Sequence, residues 1–244
     1  MPLNPATLDS YAQTYYLNDD VTDIDIEETG QRLAIPRTIA NLAGARRVLE
    51  MGFGTGLITG ELLRRGTDIE VVEGSSLLCE VARERHPGLV VHQSMFEDFV
   101  PSRPYDAVLA LHIAEHVDDP VSLFQLVRTW LRPGGAIVVV VPNADSLHRR
   151  LAVRMKIQEN LDDLSPRDHL VGHLRVYTFD RLHGDLIAAG FAPELDFGYQ
   201  LKVVPNAMME SWPAGLIEAL IEISDEIPPP MLANIGVRAT TPQS

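Results

Sequence analysis

The most distinctive chemical feature of the sequence is a short apolar run that leads into three closely spaced glycines. Residues Val48–Gly56 read VLEMGFGTG, in which the acidic Glu50 precedes Gly52, Gly54 and Gly56. Glycine lacks a Cβ atom, so these positions tolerate positive φ and let the backbone approach a ligand closely. The amphipathic segment that follows predicts a helix whose N-terminal amide groups face the same ligand. The pattern therefore predicts a ligand-binding loop between a buried strand and a helix.

The spacing of the glycines separates this loop from the common dinucleotide-binding fingerprint. That fingerprint needs a glycine three positions after the second one, and here the position is Leu57. Further along, the run IEVVEG ends a second predicted strand at Glu73, which precedes Gly74. A carboxylate at this point can accept hydrogen bonds from both hydroxyls of a ribose. Both features fit an adenosine cofactor; a turn without a ligand and a chance surface glutamate are the alternatives.

Two histidines follow another predicted strand. The segment Tyr105–Pro120 reads YDAVLALHIAEHVDDP, and a helical turn starting at Ile113 would place His112 and His116 on one face. Imidazole titrates near neutrality, so either histidine could serve as a general base, although His116 could equally brace the loop. The HxxEH pattern also occurs in zinc proteases, but there both histidines lie on a helix, whereas His112 ends a strand. No metal is therefore expected.

Short apolar runs rich in β-branched residues alternate with amphipathic helical segments along most of the chain. This alternation predicts a parallel sheet covered by helices on both faces. The predicted strands are Arg47–Met51, Ile69–Glu73, Leu89–His92, Tyr105–Leu111, Ala136–Val141, Glu194–Val203 and Leu232–Arg238. The predicted helices are Gly56–Arg65, Ser75–Arg85, Pro120–Leu131 and Phe179–Ala189.

Residues 1–244 are predicted to form one domain built from several parts. Residues 1–45 form a helical N-terminal cap, and residues 46–141 form the ligand-binding core. The alternation of strands and helices breaks at residues 142–177 and 204–230. Insertions late in such a sheet lie above the strand ends, where ligands bind, so both are predicted to cover a substrate.

Composition limits the classes of partner. The formal net charge of −14 repels phosphate backbones, so nucleic acid is not an expected substrate. The only cysteine, Cys79, excludes an internal disulfide and fits a reducing compartment. The N-terminus lacks the pattern of a signal peptide, and the longest apolar run, Ala136–Val141, is too short to span a bilayer. We expect a cytoplasmic protein with no membrane partner; the apolar segment WPAGLIEALIEI is either a lid or an interface of a homodimer.

These motifs together resemble the class I S-adenosylmethionine-dependent methyltransferases of the small-molecule type. The glycine loop, Glu73, the His112 strand and the run LRPGGAIVVVVPN (Leu131–Asn143) occur in the family's order. The resemblance covers Arg46–Asn143 and, more weakly, His173–Phe191. It implies a Rossmann-like α/β fold with a doubly wound, mostly parallel seven-stranded sheet, and S-adenosyl-L-methionine as cofactor.

The resemblance also implies which residues meet the cofactor. The methionine half would lie against the glycine loop and the end of the fourth strand, and the ribose would lie at the end of the second strand. The adenine would lie after the third strand, where Ser94 would supply the polar contact and Glu97 is the alternative. The family often has an aspartate at the Ser94 position. An N-terminal tyrosine, Tyr11, Tyr15 or Tyr16, would lie over the cofactor carboxylate. The predicted cofactor-binding residues are Tyr16, Glu50, Gly52, Phe53, Gly54, Glu73, Gly74, Ser94, Met95, Phe96, Leu111 and His112.

The function predicted from these residues is methyl transfer to an oxygen or nitrogen of a small-molecule acceptor. The candidate catalytic residues are His116, His112 and His173, the last lying in the run DHLVGH. An NAD(P)-dependent oxidoreductase is an alternative, which Leu57 counts against. A non-catalytic protein that binds S-adenosylmethionine is a further alternative.

Overall fold

A seven-stranded, mostly parallel sheet forms the centre of the computed structural model, which describes residues 4–18, 24–42, 44–209 and 211–243. The strand order is β3-β2-β1-β4-β5-β7-β6, and only β7 runs antiparallel to its neighbours. The strands are β1 (Arg47–Met51), β2 (Asp68–Glu73), β3 (Val90–Gln93), β4 (Tyr105–Leu111), β5 (Leu131–Pro142), β6 (Ala192–Tyr199) and β7 (Asn234–Thr240). The predicted α/β class and doubly wound sheet are confirmed.

Helices cover both faces of this sheet. Alternate residues of the central strands point to opposite faces, so Val108 packs in one apolar cluster and Leu109 in the other. Each cluster is completed by helices on its own side. The helices are α1 (Pro5–Tyr11), α2 (Ile24–Ala40), α3 (Leu57–Arg64), α4 (Ser76–Arg85), α5 (Pro120–Trp130), α6 (Leu147–Arg154), α7 (Pro166–Leu170), α8 (Phe179–Ala188) and α9 (Ala214–Glu222).

Local signals account for the well-predicted boundaries. Asp119 caps α5 by accepting the Ser122 N–H at 3.0 Å, and Pro120 occupies the first helical position, where its missing N–H costs nothing. The end of this helix differs from the prediction, because Leu131 leaves the helix and already pairs with Tyr105 in the sheet. Strand β5 is therefore longer than the apolar run alone indicates.

The late strands shift relative to the sequence prediction. Strand β6 ends at Tyr199 and not at Val203, because Gln200 adopts a positive φ of 65° that turns the chain out of the sheet. Strand β7 begins at Asn234 and not at Leu232. These corrections matter for function because the displaced segments carry side chains to the site.

The two predicted covers differ in their relation to the sheet edge. Helices α6 and α7 belong to the first cover, and residues of both line the main cavity. The second cover contains α9, which packs against α2. Among the described residues of that cover, only Pro205 and Asn206 line the cavity. Within the described ranges, no helix combines the length and the apolar character needed to cross a membrane.

We predict that Gly236→Ala destabilises the fold, because an added Cβ in β7 would overlap the ring of Phe197. Overpacking of this kind costs about 1 to 3 kcal/mol. Gly184→Ala is the matched control, since no described atom lies within 4 Å of its added Cβ and the site is inside α8. That change should raise the free energy of unfolding by about 0.5 to 1 kcal/mol. Urea unfolding measures both, and equal effects would contradict the packing argument.

Candidate functional site

The main cavity lies at the carboxyl ends of the parallel strands. It measures about 560 Å³, a size typical of small-ligand sites. Its walls come from the loop after β1, the end of β4, the N-terminal cap and the first cover. In open α/β sheets ligands bind at this edge, where the connections from neighbouring strands diverge.

The glycine loop forms one wall of this cavity, as predicted. Gly54 has a φ of 53°, and a Cβ there would lie 3.7 Å from the hydroxyl of Tyr16. Gly56 has a φ of 76° and lies under the ring of Phe53, which a Cβ would overlap. The loop backbone and Tyr16 therefore face one another across a narrow gap.

Glu50 supplies a buried carboxylate at the base of the same wall. Its Oε2 accepts a hydrogen bond from the Thr59 hydroxyl. Burial, reinforced by the charge of Glu73, raises the pKa of Glu50 to about 8. A bound ammonium group would stabilise the ionised form. Gly52, Leu111 and His112 also line this end of the cavity, so most of the residues predicted for the methionine half come together.

Glu73 lies behind the loop and does not line the cavity. One carboxylate oxygen accepts the Phe53 N–H at 2.9 Å, and the other accepts the Ser75 N–H at 2.7 Å. Burial raises the pKa of Glu73, and these backbone donors only partly oppose the shift. The carboxylate thus fixes the loop from below, a role that the sequence prediction of a ribose contact did not include.

Helix α1 covers the neighbouring surface at the start of α4. Asp9 accepts hydrogen bonds of 2.6 Å from the hydroxyls of Ser75 and Ser76. These hydroxyl donors lower the pKa of Asp9. A Cβ at Gly74 would lie 2.5 Å from a methyl carbon of Leu8. The N-terminal cap therefore fills the space above Gly74.

The residues predicted to meet adenine lie just beyond this contact and outside the cavity. The Ser94 hydroxyl donates to the Met95 carbonyl at 2.8 Å. The Met95 sulfur lies beside Gly74, and Phe96 packs against the apolar core. Their contact with a cofactor stays a prediction.

His112 is held by both of its ring nitrogens. Nδ1 pairs with Glu115 at 3.0 Å, and Nε2 pairs with the Tyr199 hydroxyl at 2.9 Å. Burial opposes a charge on the ring, but the hydrogen bond and the charge of Glu115 outweigh it and raise the pKa of His112. Its φ of 56° is unusual for a residue with a Cβ, and such strain occurs where surrounding contacts fix a functional residue. Both ring nitrogens have a protein partner in this arrangement, and the predicted role of His112 as a base stays a prediction.

The ring of His116 packs against the ring of His173, and not against His112 as the sequence spacing predicts. The chain forms a turn after β4, and the rings of His116 and His173 lie 4.8 Å apart. Nδ1 of His116 is 3.3 Å from the Gly172 carbonyl, and Nδ1 of His173 is 2.8 Å from Asp168. Because both of these partners are acceptors, we assign the proton to each Nδ1, which leaves each Nε2 as an acceptor. Burial lowers the pKa of His116, so this imidazole is neutral near pH 7.

The first cover adds residues that the sequence did not single out. Arg149 of α6 and Asp168 of α7 form a buried ion pair of 2.7 Å. Burial opposes ionisation, but His173 and Arg149 outweigh it and hold the pKa of Asp168 far below its usual range. His148 also lines the cavity, and burial lowers its pKa. The sequence signal for Asp168 was its place in DHLVGH, but nothing there indicates Arg149 as its partner.

Across the cavity, the cap and the segment after β6 add a second ion pair, which is partly buried. Lys202 lies 3.3 Å from Glu27 of α2, and Asn206 donates to the same oxygen at 2.7 Å. Burial raises the pKa of Glu27, but Lys202 and Asn206 outweigh it and lower the pKa overall. None of these three residues was predicted from the sequence, because α2 and the segment after β6 lie far apart in the chain.

Over residues 26–195 the chain matches the family described as "Methyltransferase domain". The match covers more than half of the chain, so this protein belongs to that family, as the sequence resemblance predicts. A protein of Xanthomonas euvesicatoria pv. vesicatoria (strain 85-10) named ubiquinone biosynthesis O-methyltransferase is 31% identical over 128 residues, which are 50% of this chain and 53% of that protein. The chain spans about half the length of the curated relatives it matches.

Solved structures share the fold across nearly the whole chain. One similar structure is a Thermotoga maritima protein described as a SAM-dependent methyltransferase and possible histamine N-methyltransferase. It matches with a TM-score of 0.64 at 18% identity, and the match covers 96% of this chain and 99% of that protein. The N-methyltransferase NodS of Bradyrhizobium japonicum WM9, solved with S-adenosyl-L-homocysteine, has a TM-score of 0.58 at 12% identity and covers 97% and 99%. These likenesses confirm the predicted Rossmann-like fold.

We predict that Glu50→Gln makes the ligand-free protein more stable above neutral pH. The folded-state pKa of about 8 exceeds the ordinary glutamate pKa of 4.5, so between these pH values the folded protein holds a proton that the unfolded chain releases. Wild-type stability therefore falls as pH rises through this range, and the neutral amide avoids the loss. Each pKa unit corresponds to about 1 kcal/mol, which gives a gap of a few kcal/mol. Urea unfolding at pH 5 and pH 8.5 measures it; a gap that is no larger at pH 8.5 would contradict the assignment.

Proposed function

We propose that this protein is an S-adenosylmethionine-dependent methyltransferase that moves a methyl group to an oxygen or nitrogen of a small-molecule acceptor. The observation that carries the proposal is one cavity with two chemically different ends. Glu50 and the glycine loop form one end, and the His116–His173 pair lies at the other. The first end suits a cofactor with an ammonium group, and the second suits a nucleophile that must lose a proton.

The cofactor's methionine half fits the wall beside β1. Its ammonium would meet the Glu50 carboxylate, which has only the Thr59 hydroxyl as a described hydrogen-bond partner. Its carboxylate would lie between the amide groups of the loop and the Tyr16 hydroxyl. The adenosine half would extend toward Glu73 and Gly74, where it must displace Leu8 of α1. We therefore propose that the N-terminal cap rearranges when the cofactor binds.

The acceptor would occupy the opposite end, under the first cover. The buried pair Arg149–Asp168 and the partly buried pair Lys202–Glu27 surround this end with charges that are already balanced. His116 and His173 add imidazole nitrogens, and Tyr11 places its ring 6.4 Å from His116. A polar, uncharged acceptor of metabolite size suits these walls, and the chain's net charge of −14 disfavours nucleic acid.

The chemistry requires alignment more than activation. The bound sulfonium supplies an electrophilic methyl group, and the cavity holds the acceptor's lone pair in line with it. As the new bond to carbon forms, the bonding pair of the carbon–sulfur bond leaves with sulfur. Alignment of this kind contributes about 7 to 11 kcal/mol. A hydroxyl or neutral amine acceptor also gives up a proton as its bond to the methyl carbon forms, and Nε2 of His173 or His116 would take it while Asp168 holds the His173 ring.

The relatives support this class of reaction. Curated relatives are named ubiquinone biosynthesis O-methyltransferase, and one similar structure is described as a possible histamine N-methyltransferase, so these names include methyl transfer to oxygen and to nitrogen. Membership of the methyltransferase-domain family argues against the nicotinamide-dependent alternative.

A cytoplasmic location is proposed because the only cysteine, Cys79, is buried and unpaired. A homodimer through α9 is proposed because Leu216 and Ile223 at this helix are exposed.

Binding of the cofactor gives the first test. We expect S-adenosylmethionine to bind in calorimetry and NADH not to bind. Glu50→Gln should weaken S-adenosylmethionine about 10- to 100-fold, the value of a charge-assisted hydrogen bond, and leave adenosine affinity unchanged. Glu84→Gln on the exposed face of α4 is the control. Full affinity in Glu50→Gln would overturn the placement of the ammonium group.

Turnover gives the second test. We expect His173→Ala and His116→Ala to lower kcat by about a hundredfold or more, because both imidazoles face the acceptor end. Cofactor affinity should not change. His183→Ala is the control, since His183 pairs with Asp196 outside the cavity. The readout is S-adenosylhomocysteine released with a panel of hydroxyl and amine acceptors. Unchanged turnover in both variants would remove the imidazoles as bases, and tight binding without any turnover would favour the non-catalytic alternative.

A further inference from the structure

We propose that Glu115, His116 and His173 bind a first-row divalent metal ion, with Zn²⁺ as the reference ion. One carboxylate oxygen and one nitrogen of each imidazole lie within 4.8 Å of one another. This inference goes beyond methyl transfer and does not rest on it, because the site is defined by its own ligands. It also departs from the sequence expectation of no metal.

The distances fit a metal centre after small side-chain adjustments. Around a tetrahedral ion, Zn–N and Zn–O bonds of about 2.0 to 2.2 Å place the ligand atoms about 3.3 to 3.6 Å apart. Closing the observed limit of 4.8 Å to that separation needs shifts of up to about 1 Å for each ligand atom, which side-chain rotations can supply. Two imidazoles with one carboxylate suit zinc, iron or cobalt, whereas magnesium prefers an all-oxygen set.

The histidines are oriented in the way that metal ligands usually are. A ligating imidazole donates its other N–H to a carboxylate or a backbone carbonyl, which fixes the ring and its tautomer. Nδ1 of His173 contacts Asp168 at 2.8 Å, and Asp168 is held in turn by Arg149 at 2.7 Å. Nδ1 of His116 contacts the Gly172 carbonyl at 3.3 Å. Both Nε2 atoms lack a hydrogen-bond partner among the described residues and are available as ligands.

Glu115 supplies the third ligand, and its unpartnered carboxylate oxygen is independent evidence for the site. Its side chain is fully buried, with one oxygen 3.0 Å from His112. The other oxygen, Oε2, is buried and has no hydrogen-bond partner in the described part of the chain. Buried carboxylate oxygens are almost always paired, so an orphaned one calls for a missing partner. A cation beside His116 and His173 provides that partner.

The site opens into the main cavity. His116 and His173 both line the cavity wall, so an ion can enter and keep positions for water or an acceptor oxygen. The trio is not the HxxEH pattern that the sequence displays, because His112 is engaged with Glu115 and Tyr199. His173, which belongs to the first cover, supplies the second imidazole of the site instead of His112.

Cobalt binding tests this proposal directly. The full chain, freed of metal with a chelator, is titrated with Co²⁺ and followed by visible absorption, and Zn²⁺ is then added to displace it. We expect about one equivalent of Co²⁺ with an absorption band that Zn²⁺ removes. His116→Ala and His173→Ala should each weaken binding at least tenfold, and Asp168→Asn by about 10- to 100-fold through His173. His183→Ala should bind like the wild type.

His116→Ala is the decisive variant, because His116 lies at the cavity surface and the fold does not depend on its one described hydrogen bond. Circular dichroism confirms that each variant is folded before titration. No stoichiometric binding by the wild type, or equal affinity in wild type and His116→Ala, would overturn the proposal. S-adenosylmethionine affinity is measured on the same samples. A failed metal site with intact cofactor binding is thereby distinguished from a failure of the proposed function. Loss of turnover alone would not separate a base from a ligand.

Discussion

The position of β1 next to β4 in the parallel sheet is the constraint on which the site depends. Connections from β1 and β4 leave toward opposite sides, so their carboxyl ends open a crevice instead of being bridged. The glycine loop after Met51 and the turn after Leu111 face each other across this crevice. The N-terminal cap and the first cover supply the remaining walls of the cavity, above the glycine loop and the turn after Leu111. Without this adjacency, Glu50 and His116 would not share a cavity.

Buried charge then determines how the walls are held together. Glu115 pairs with His112, Asp168 with Arg149, and Glu27 with Lys202, so each of these carboxylates at or near the cavity has a basic partner. Removing the partner from a buried pair leaves an uncompensated charge, which destabilises the fold. Glu50 is the exception, since only a neutral hydroxyl bonds to it and its pKa is raised. A cationic ligand beside Glu50 would supply the charge that the described neighbours of this carboxylate lack.

The N-terminal cap and the first cover act on different ends of the cavity. Asp9 and Leu8 attach α1 beside Gly74, at the predicted adenosine end. Asp168 and Arg149 link α7 to α6 above the two histidines. The end proposed for the cofactor is therefore closed by contacts to the Rossmann-like core, whereas the end proposed for the acceptor is closed by contacts within the cover.

The sequence by itself determined the sheet, its helices and the glycine loop, because these follow from hydrophobic periodicity, caps and the conformational freedom of glycine, which are local properties. Glu50, Gly52 and Gly54 were found this way, and the bounds of β4 were predicted to the residue. Only the tertiary structure decided that His116 faces His173, that Glu73 fastens the loop from behind, and that Arg149 meets Asp168. These pairings join segments far apart in the chain, so no spacing encodes them. The HxxEH run shows the difference: the sequence offered His112 and His116 as candidate bases, but in the fold His112 contacts Glu115 and Tyr199, and His173 lies beside His116 instead.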